Sequence, residues 1–238
     1  MERDWVCELE AYLQDRFADL CKTIGQRVPS SGLRITPPLA TDEAKYFLLG
    51  VEGGLFQLDD EGYVASDLFP APNPAESERR MCQIFWYNSL PPRLFRESIC
   101  QLSTASALIL KRGWLRSHVL MEPSIDEQSS VNLGVDIVVE ANDGRTLIRV
   151  EVKRNAAELQ KLVLDLQACS RRGPHTQDDC GFPQNHPKYE FCVSSRPNYF
   201  WAVAPDAEVC FRMNYENGIA LEQLASLPPR SLIESEQR

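Results

Sequence analysis

GVDIVVEANDGRTLIRVEVKR, residues Gly134–Arg154, places two apolar runs on either side of an Asn142-Asp143-Gly144 turn, with Asp136, Glu151 and Lys153 set into them. A β-strand alternates its side chains between faces with period two. In the second run Ile148, Val150 and Val152 share one face, and Arg149, Glu151 and Lys153 share the other. In the first run Val135, Ile137 and Val139 lie opposite Asp136, Val138 and Glu140. The Asn-Asp-Gly segment has the chemistry of a hairpin turn. If the runs pair, Asp136 and Glu151 converge on one side with Lys153 beside them. Such a cluster is either the charged, solvated face of an ordinary hairpin or one face of a metal-dependent site.

The chemistry of the second reading is coherent. Two carboxylates at that separation make a hard oxygen site suited to Mg²⁺ or Mn²⁺. A cation held there acidifies a water and neutralises charge on a phosphate oxygen. A lysine two residues on can orient that water or stabilise the same charge. These parts suffice for phosphodiester hydrolysis. Downstream, residues from about Ala156 to Ser170 read as a helix with Leu159, Leu162, Val163 and Leu166 on one face.

Asp136, then Glu151-Val152-Lys153 on the next strand, then an amphipathic helix, resembles the core of the PD-(D/E)xK nuclease superfamily. That superfamily includes many restriction enzymes, Holliday-junction resolvases and repair exonucleases. The resemblance covers roughly residues 93–205. It implies an α/β fold, a restriction-endonuclease-like core with a central mixed sheet flanked by helices. It implies a Mg²⁺- or Mn²⁺-dependent nuclease acting on DNA in preference to RNA. Asp136 and Glu151 would be metal ligands, the backbone carbonyl of Val152 a third, and Lys153 the catalytic lysine. Glu97 is the candidate for an additional acidic ligand from the helix before the first strand. Val135 stands where the name-giving proline would be. A second E-x-K triplet, Glu43-Ala44-Lys45, has neither the preceding Asp strand nor the following amphipathic helix and is set aside. The rival reading keeps the fold without the chemistry: a catalytically inactive module that binds nucleic acid or a partner protein.

The net charge of −9 argues against coating nucleic acid by bulk electrostatics, but not against a local basic groove. Between residues 149 and 172 the bases Arg149, Lys153, Arg154, Lys161, Arg171 and Arg172 face only Glu151, Glu158 and Asp165. Arg149, Arg154, Lys161, Arg171 and Arg172 are therefore the candidates for holding a phosphate backbone. An acidic body also suits a chain with a protein partner or a second copy of itself, such as a subunit of a bacterial defence or mobile-element system.

Around this core the expected organisation is an N-terminal α+β extension over residues 1–74, a nuclease-like core over 75–228, and a polar tail over 229–238. The extension opens with a helix through residue 24 and continues with short strands between Tyr46 and Ser66. Pro70, Pro72 and Pro74 mark the boundary. The core is expected to run helix 75–90, helix 93–112, strand "WLRSHVLM", the hairpin, the helix from Ala156, then strands "KYEFCVSS", "NYFWAVAP" and "EVCFRMNY". The absence of an apolar run near the ~18 residues a bilayer requires argues against a membrane span. The charged start of the chain lacks the apolar stretch of a secretory signal. Both point to the cytoplasm, where eight cysteines without a C-x-x-C pair read as reduced thiols.

One long polar loop stands apart. In "CSRRGPHTQDDCGFPQNH", Cys169, His175, Cys180 and His186 could supply four ligands to a structural Zn²⁺. Their spacings match no known finger or ribbon. The blander reading is a loop fixed by Pro174, Pro183 and Pro187. Tyr199, Phe200 and Trp201 read as core in preference to a base-stacking platform, and His118 reads as a structural histidine.

Overall fold

The computed structural model describes residues 3–69, 82–86, 92–122, 136–216 and 218–235. Two compact units divide the chain, Met1–Lys111 and Arg112–Arg238. The boundary expected near residue 74 lies outside the described residues.

In the first unit the helical spacing of Leu9, Leu13, Phe17 and Leu20 becomes the buried stripe of α1 (Trp5–Thr23). Asp4 starts that helix by accepting the Cys7 N–H at 3.1 Å. A second helix, α2 (Thr41–Glu52), takes up Tyr46–Glu52, where a strand was expected. Its start is stabilised by the Glu43 carboxylate, which accepts the Ala40 N–H at 3.2 Å. Short antiparallel strands follow: β1 (Gln57–Leu58), β2 (Tyr63–Ala65) and β3 (Cys82–Gln83) in one sheet, β4 (Phe85–Trp86) and β5 (Arg93–Leu94) in another. β3 and β4 replace part of the helix expected over 75–90. The helix expected over 93–112 is α3 (Arg96–Leu110). Arg96 is buried against α2, with Nη1 and Nη2 at 2.5 and 2.6 Å from the Glu43 carboxylate. Glu43 of the discarded E-x-K triplet is thus part of a buried helix–helix clamp.

The second unit is a mixed α/β layer structure built on a six-stranded sheet. Its strands are β6 (Val119–Met121), β7 (Ile137–Glu140), β8 (Thr146–Val152), β9 (Tyr199–Ala204), β10 (Ala207–Asn214) and β11 (Ala220–Leu224). Their order in space is β11-β10-β9-β8-β7-β6. All neighbours are antiparallel except the central pair β8–β9, which is parallel. A parallel pair needs a long crossover. Here it consists of α4 (Ala156–Arg172), a loop, and α5 (His186–Ser195). Leu159, Leu162, Val163, Leu166 and Cys169 of α4 pack with Phe200, Ala202, Phe211 and Met213 of the sheet. Tyr199, Phe200 and Trp201 are buried, as core residues should be.

Three expectations fail here. Of "WLRSHVLM" only β6, Val119–Met121, is strand, and Arg116–His118 before it form a turn of 3-10 helix. "KYEFCVSS" is helix α5, not a strand: Pro187 sits in its first turn, a position that favours helix initiation, and Arg196 ends it in the left-handed region at φ 48°. Part of the polar tail is α6 (Arg230–Ser235), held by fully buried Ile233 and by Arg230 Nη1 donating to the Gly113 carbonyl at 2.6 Å.

No described helix is long and apolar enough to cross a membrane. All eight cysteines are among the described residues; none forms a disulfide, and all but Cys7 are buried.

Candidate carboxylate–lysine site

The hairpin register places Ile137 opposite Val150 and Val138 opposite Arg149. One step further, Asp136 stands opposite Glu151 at the mouth of the hairpin. The Asp136 Oδ2 atom accepts the Val152 N–H at 2.5 Å, and the Asp136 carbonyl accepts the Glu122 N–H at 2.9 Å. Lys153 Nζ lies 4.0 Å from Asp136 Oδ2 and 3.9 Å from Glu151 Oε2. The same ammonium donates to the Val152 carbonyl at 2.5 Å. Asp136, Glu151, the Val152 carbonyl and Lys153 are therefore in one place. Glu97 stands half-buried in the first turn of α3, in the first unit.

This face of the sheet is not solvated. In the parallel register Arg149 neighbours Phe200 and Glu151 neighbours Ala202, both of which lie under the helices. Arg149 and Glu151 are fully buried. Arg149 stacks over Phe191 of α5 and Phe200 of β9, at 4.5 and 5.8 Å from the ring centroids. Its Nη2 lies 2.6 Å from Glu151 Oε1, and its Nη1 donates to the Lys188 carbonyl at 2.6 Å. Arg149 is consequently not available to a phosphate backbone, a correction to the sequence reading. A strand-facing guanidinium is read as exposed only while the covering helix is unknown.

Lys188 is the participant that sequence reasoning missed. It extends from the first turn of α5, and its Nζ is 2.7 Å from Glu151 Oε2. The signal for it was Pro187, whose preference for the first turn of a helix would have argued against a strand there. Glu151 is thus held between two cations, Arg149 on one oxygen and Lys188 on the other. Burial works against its charge, but Lys188 and Arg149 outweigh that penalty and keep its pKa below the ordinary glutamate range. Asp136 goes the other way. Burial, followed by the negative charge of Glu151, pushes its pKa up to about 7 against the opposing pull of Lys153 and Lys188. Its side chain keeps 21% of its exposure, Lys153 keeps 16% and Lys188 13%, so these three form the accessible rim over a closed Glu151.

The donor set fits a hard divalent cation: carboxylate oxygens of Asp136 and Glu151 with the Val152 carbonyl. The elevated proton affinity of Asp136 marks it as the carboxylate with the less compensated charge. Lys188 and Lys153 are the positive charges now at Glu151 Oε2 and at the Val152 carbonyl.

Of the other basic candidates, Arg154, Lys161, Arg171 and Arg172 are exposed. Lys161 and Arg172 are eleven residues apart and so share one side of α4. Arg154 pairs with Glu158 at 2.5 Å, and Arg172 donates to the Asp179 carbonyl.

The loop after α4 brings Cys169, His175 and Cys180 together, with one ligand atom from each within 4.8 Å of the others. His186, the fourth candidate, does not join them. It is fully buried, with Nε2 3.1 Å from the His175 carbonyl. His118 bonds Asn142 Oδ1 through Nε2 at 3.0 Å, while its buried Nδ1 has no hydrogen-bond partner among the described residues.

Comparison with known protein families finds none that matches the chain, and comparison with curated proteins finds no relative.

Proposed function

We propose that this chain is a metal-dependent nuclease acting on DNA, with a PD-(D/E)xK-like arrangement in the second unit. The observation that carries the reading is the convergence of Asp136 and Glu151 within 4.0 Å of one lysine ammonium, Lys153 Nζ, at the end of β8. The order Asp strand, turn, E-x-K strand and amphipathic helix supports it, as does the mixed sheet with a parallel central pair.

Asp136, Glu151 and the Val152 carbonyl would hold Mg²⁺ or Mn²⁺, which when bound supplies the charge that acidifies a water and neutralises a phosphate oxygen. Arg149 and Lys188 keep Glu151 ionised and fixed in one orientation. Lys153 is placed to orient a water or to stabilise negative charge on the scissile phosphate. Arg154, Lys161, Arg171 and Arg172 offer exposed positive charge to the phosphate backbone.

A second reading has an observation of its own. Both Glu151 oxygens already face a cation, and its side chain has no exposure. That arrangement suits a nuclease-fold module whose site is neutralised and which binds nucleic acid or a partner without cutting.

The test is cleavage of linear, circular, single-stranded and branched DNA with Mg²⁺ or Mn²⁺, comparing wild type with Lys153→Ala and Asp136→Asn. The nuclease reading expects cutting by wild type and a loss of about 10²-fold or more in both variants. DNA binding with neither Mn²⁺ binding nor turnover favours the neutralised module. Absence of Mn²⁺ binding and of turnover by the folded chain rejects the metal-ligand assignment.

A further inference from the structure

We infer that Cys169, His175 and Cys180 form a zinc site, separate from the carboxylate–lysine site, that ties the end of α4 to the loop leading into α5. Two thiols and an imidazole are the soft and borderline donors that select Zn²⁺, whereas the Asp136–Glu151 oxygens select a hard cation. Cys169 is in the last turns of α4; His175 and Cys180 follow in the loop.

The geometry is close to that of a bound ion. Thiolates about 2.3 Å from one tetrahedral Zn²⁺ stand about 3.8 Å apart. The Cys169 and Cys180 sulfurs are 3.6 Å apart. One ligand atom from each of the three residues lies within 4.8 Å of the other two.

The orientation of His175 is the independent observation. Its Nδ1 lies 2.7 Å from the Gly173 carbonyl. A carbonyl only accepts, so Nδ1 carries the proton and Nε2 is left with its lone pair. That Nε2 is buried and has no hydrogen-bond partner. A ligating histidine has this arrangement: one nitrogen donates to a backbone carbonyl and the other is directed at the metal. The ring is held by stacking on Tyr189 of α5 at 5.1 Å and by an edge contact with His186 at 4.8 Å. Among the described residues no fourth His, Cys, Asp or Glu joins the group, so the fourth position on a bound ion would fall to a water. The ion's role is to anchor the crossover from which Lys188 reaches Glu151.

The test uses the full chain, untagged and kept reduced. It is stripped with a chelator, incubated with Zn²⁺, freed of unbound metal and analysed by elemental mass spectrometry. Co²⁺ titration supplies a spectroscopic readout independent of nuclease activity. The site predicts about one Zn²⁺ per chain. It also predicts a thiolate-to-cobalt charge-transfer band with intense visible bands of four-coordinate Co²⁺. Cys180→Ser and His175→Asn should lower zinc content at least tenfold, while exposed Cys7→Ser should retain it. If a variant fails to fold, the wild-type cobalt spectrum decides alone. Reduced wild type that takes up no zinc and shows no charge-transfer band overturns the proposal. So does full zinc retention in folded Cys180→Ser, or a Cys169–Cys180 disulfide in chain kept reduced throughout.

Discussion

Asp136 and Glu151 are both carboxylates on one face of one hairpin, yet their environments move them in opposite directions. Glu151 is clamped by Arg149 and Lys188, whereas Asp136 is burdened first by burial and then by the charge of Glu151. The sign of the stability effect follows. Folded Asp136 binds a proton up to about pH 7, well above the range of an unfolded aspartate. Between those values the folded state carries more protons, so its stability falls as pH rises and reaches a floor above pH 7. Asp136→Asn removes the buried charge but keeps an oxygen for the Val152 N–H. We expect it to raise Tm by several degrees at pH 8 and to change little at pH 4, measured by thermal unfolding across that range. Cation affinity should change in the opposite sense, with Mn²⁺ binding weakening as pH falls through 7. Glu151→Ala is the contrasting case. It leaves buried Arg149 without its counter-charge, and chemical denaturation should show a loss of about 3–5 kcal/mol. Lys153→Ala and Asp136→Asn are therefore the variants that test the proposed catalysis apart from folding.

At the scale of elements, the hairpin and α4 were legible in advance and α5 was not. Period-two alternation over residues 146–152 specifies a strand on local grounds, but the register that brings Asp136 to Glu151 is set by a one-residue shift between Val139 and Glu140, which no alternation announces. The helix α4 announces itself by a 3.6-residue apolar stripe and by Asn155 at its start, which accepts the Glu158 N–H at 2.9 Å. Replacing Asn155 by Ala should cost about 1 kcal/mol in equilibrium unfolding, because one backbone donor of the first turn loses its partner. α5 has no comparable stripe. Tyr189, Phe191 and Cys192 favour a strand locally, and helix formation there depends on burial against α4 and the sheet. The same dependence hid Lys188, because a side chain on a misread element cannot be placed.

At the scale of the molecule, an acidic chain must concentrate its positive charge to engage a polyanion. Arg149 and Lys188 are engaged by Glu151, which leaves Arg154, Lys161, Arg171 and Arg172 as the basic candidates that stand exposed on the crossover. If these contact DNA, affinity should fall with salt at about 0.9 log units per phosphate engaged per log unit of salt. Lys161→Glu with Arg171→Glu should weaken binding on all sequences and flatten that slope by about two contacts. Arg149→Gln, by contrast, should leave the slope unchanged and reduce stability. An unchanged slope in the double variant, measured by fluorescence anisotropy, would move the nucleic-acid surface elsewhere on the chain.

The sequence by itself determined what depends on near neighbours. The alternation within each strand was visible, but the convergence of Asp136 with Glu151 depends on a one-residue register shift between Val139 and Glu140, without which Asp136 would stand opposite Val150. A mixed α/β core and the gathering of cysteines and histidines in one loop were likewise visible. Tertiary structure decided which face of that hairpin is covered. It buried Arg149 as a structural ion pair, brought Lys188 from the far end of the crossover onto Glu151, and drew three of the four loop candidates, Cys169, His175 and Cys180, together. Each of these outcomes depends on how α4 and α5 pack across the sheet. That packing comes from apolar contacts between residues distant in the chain, which no local period encodes.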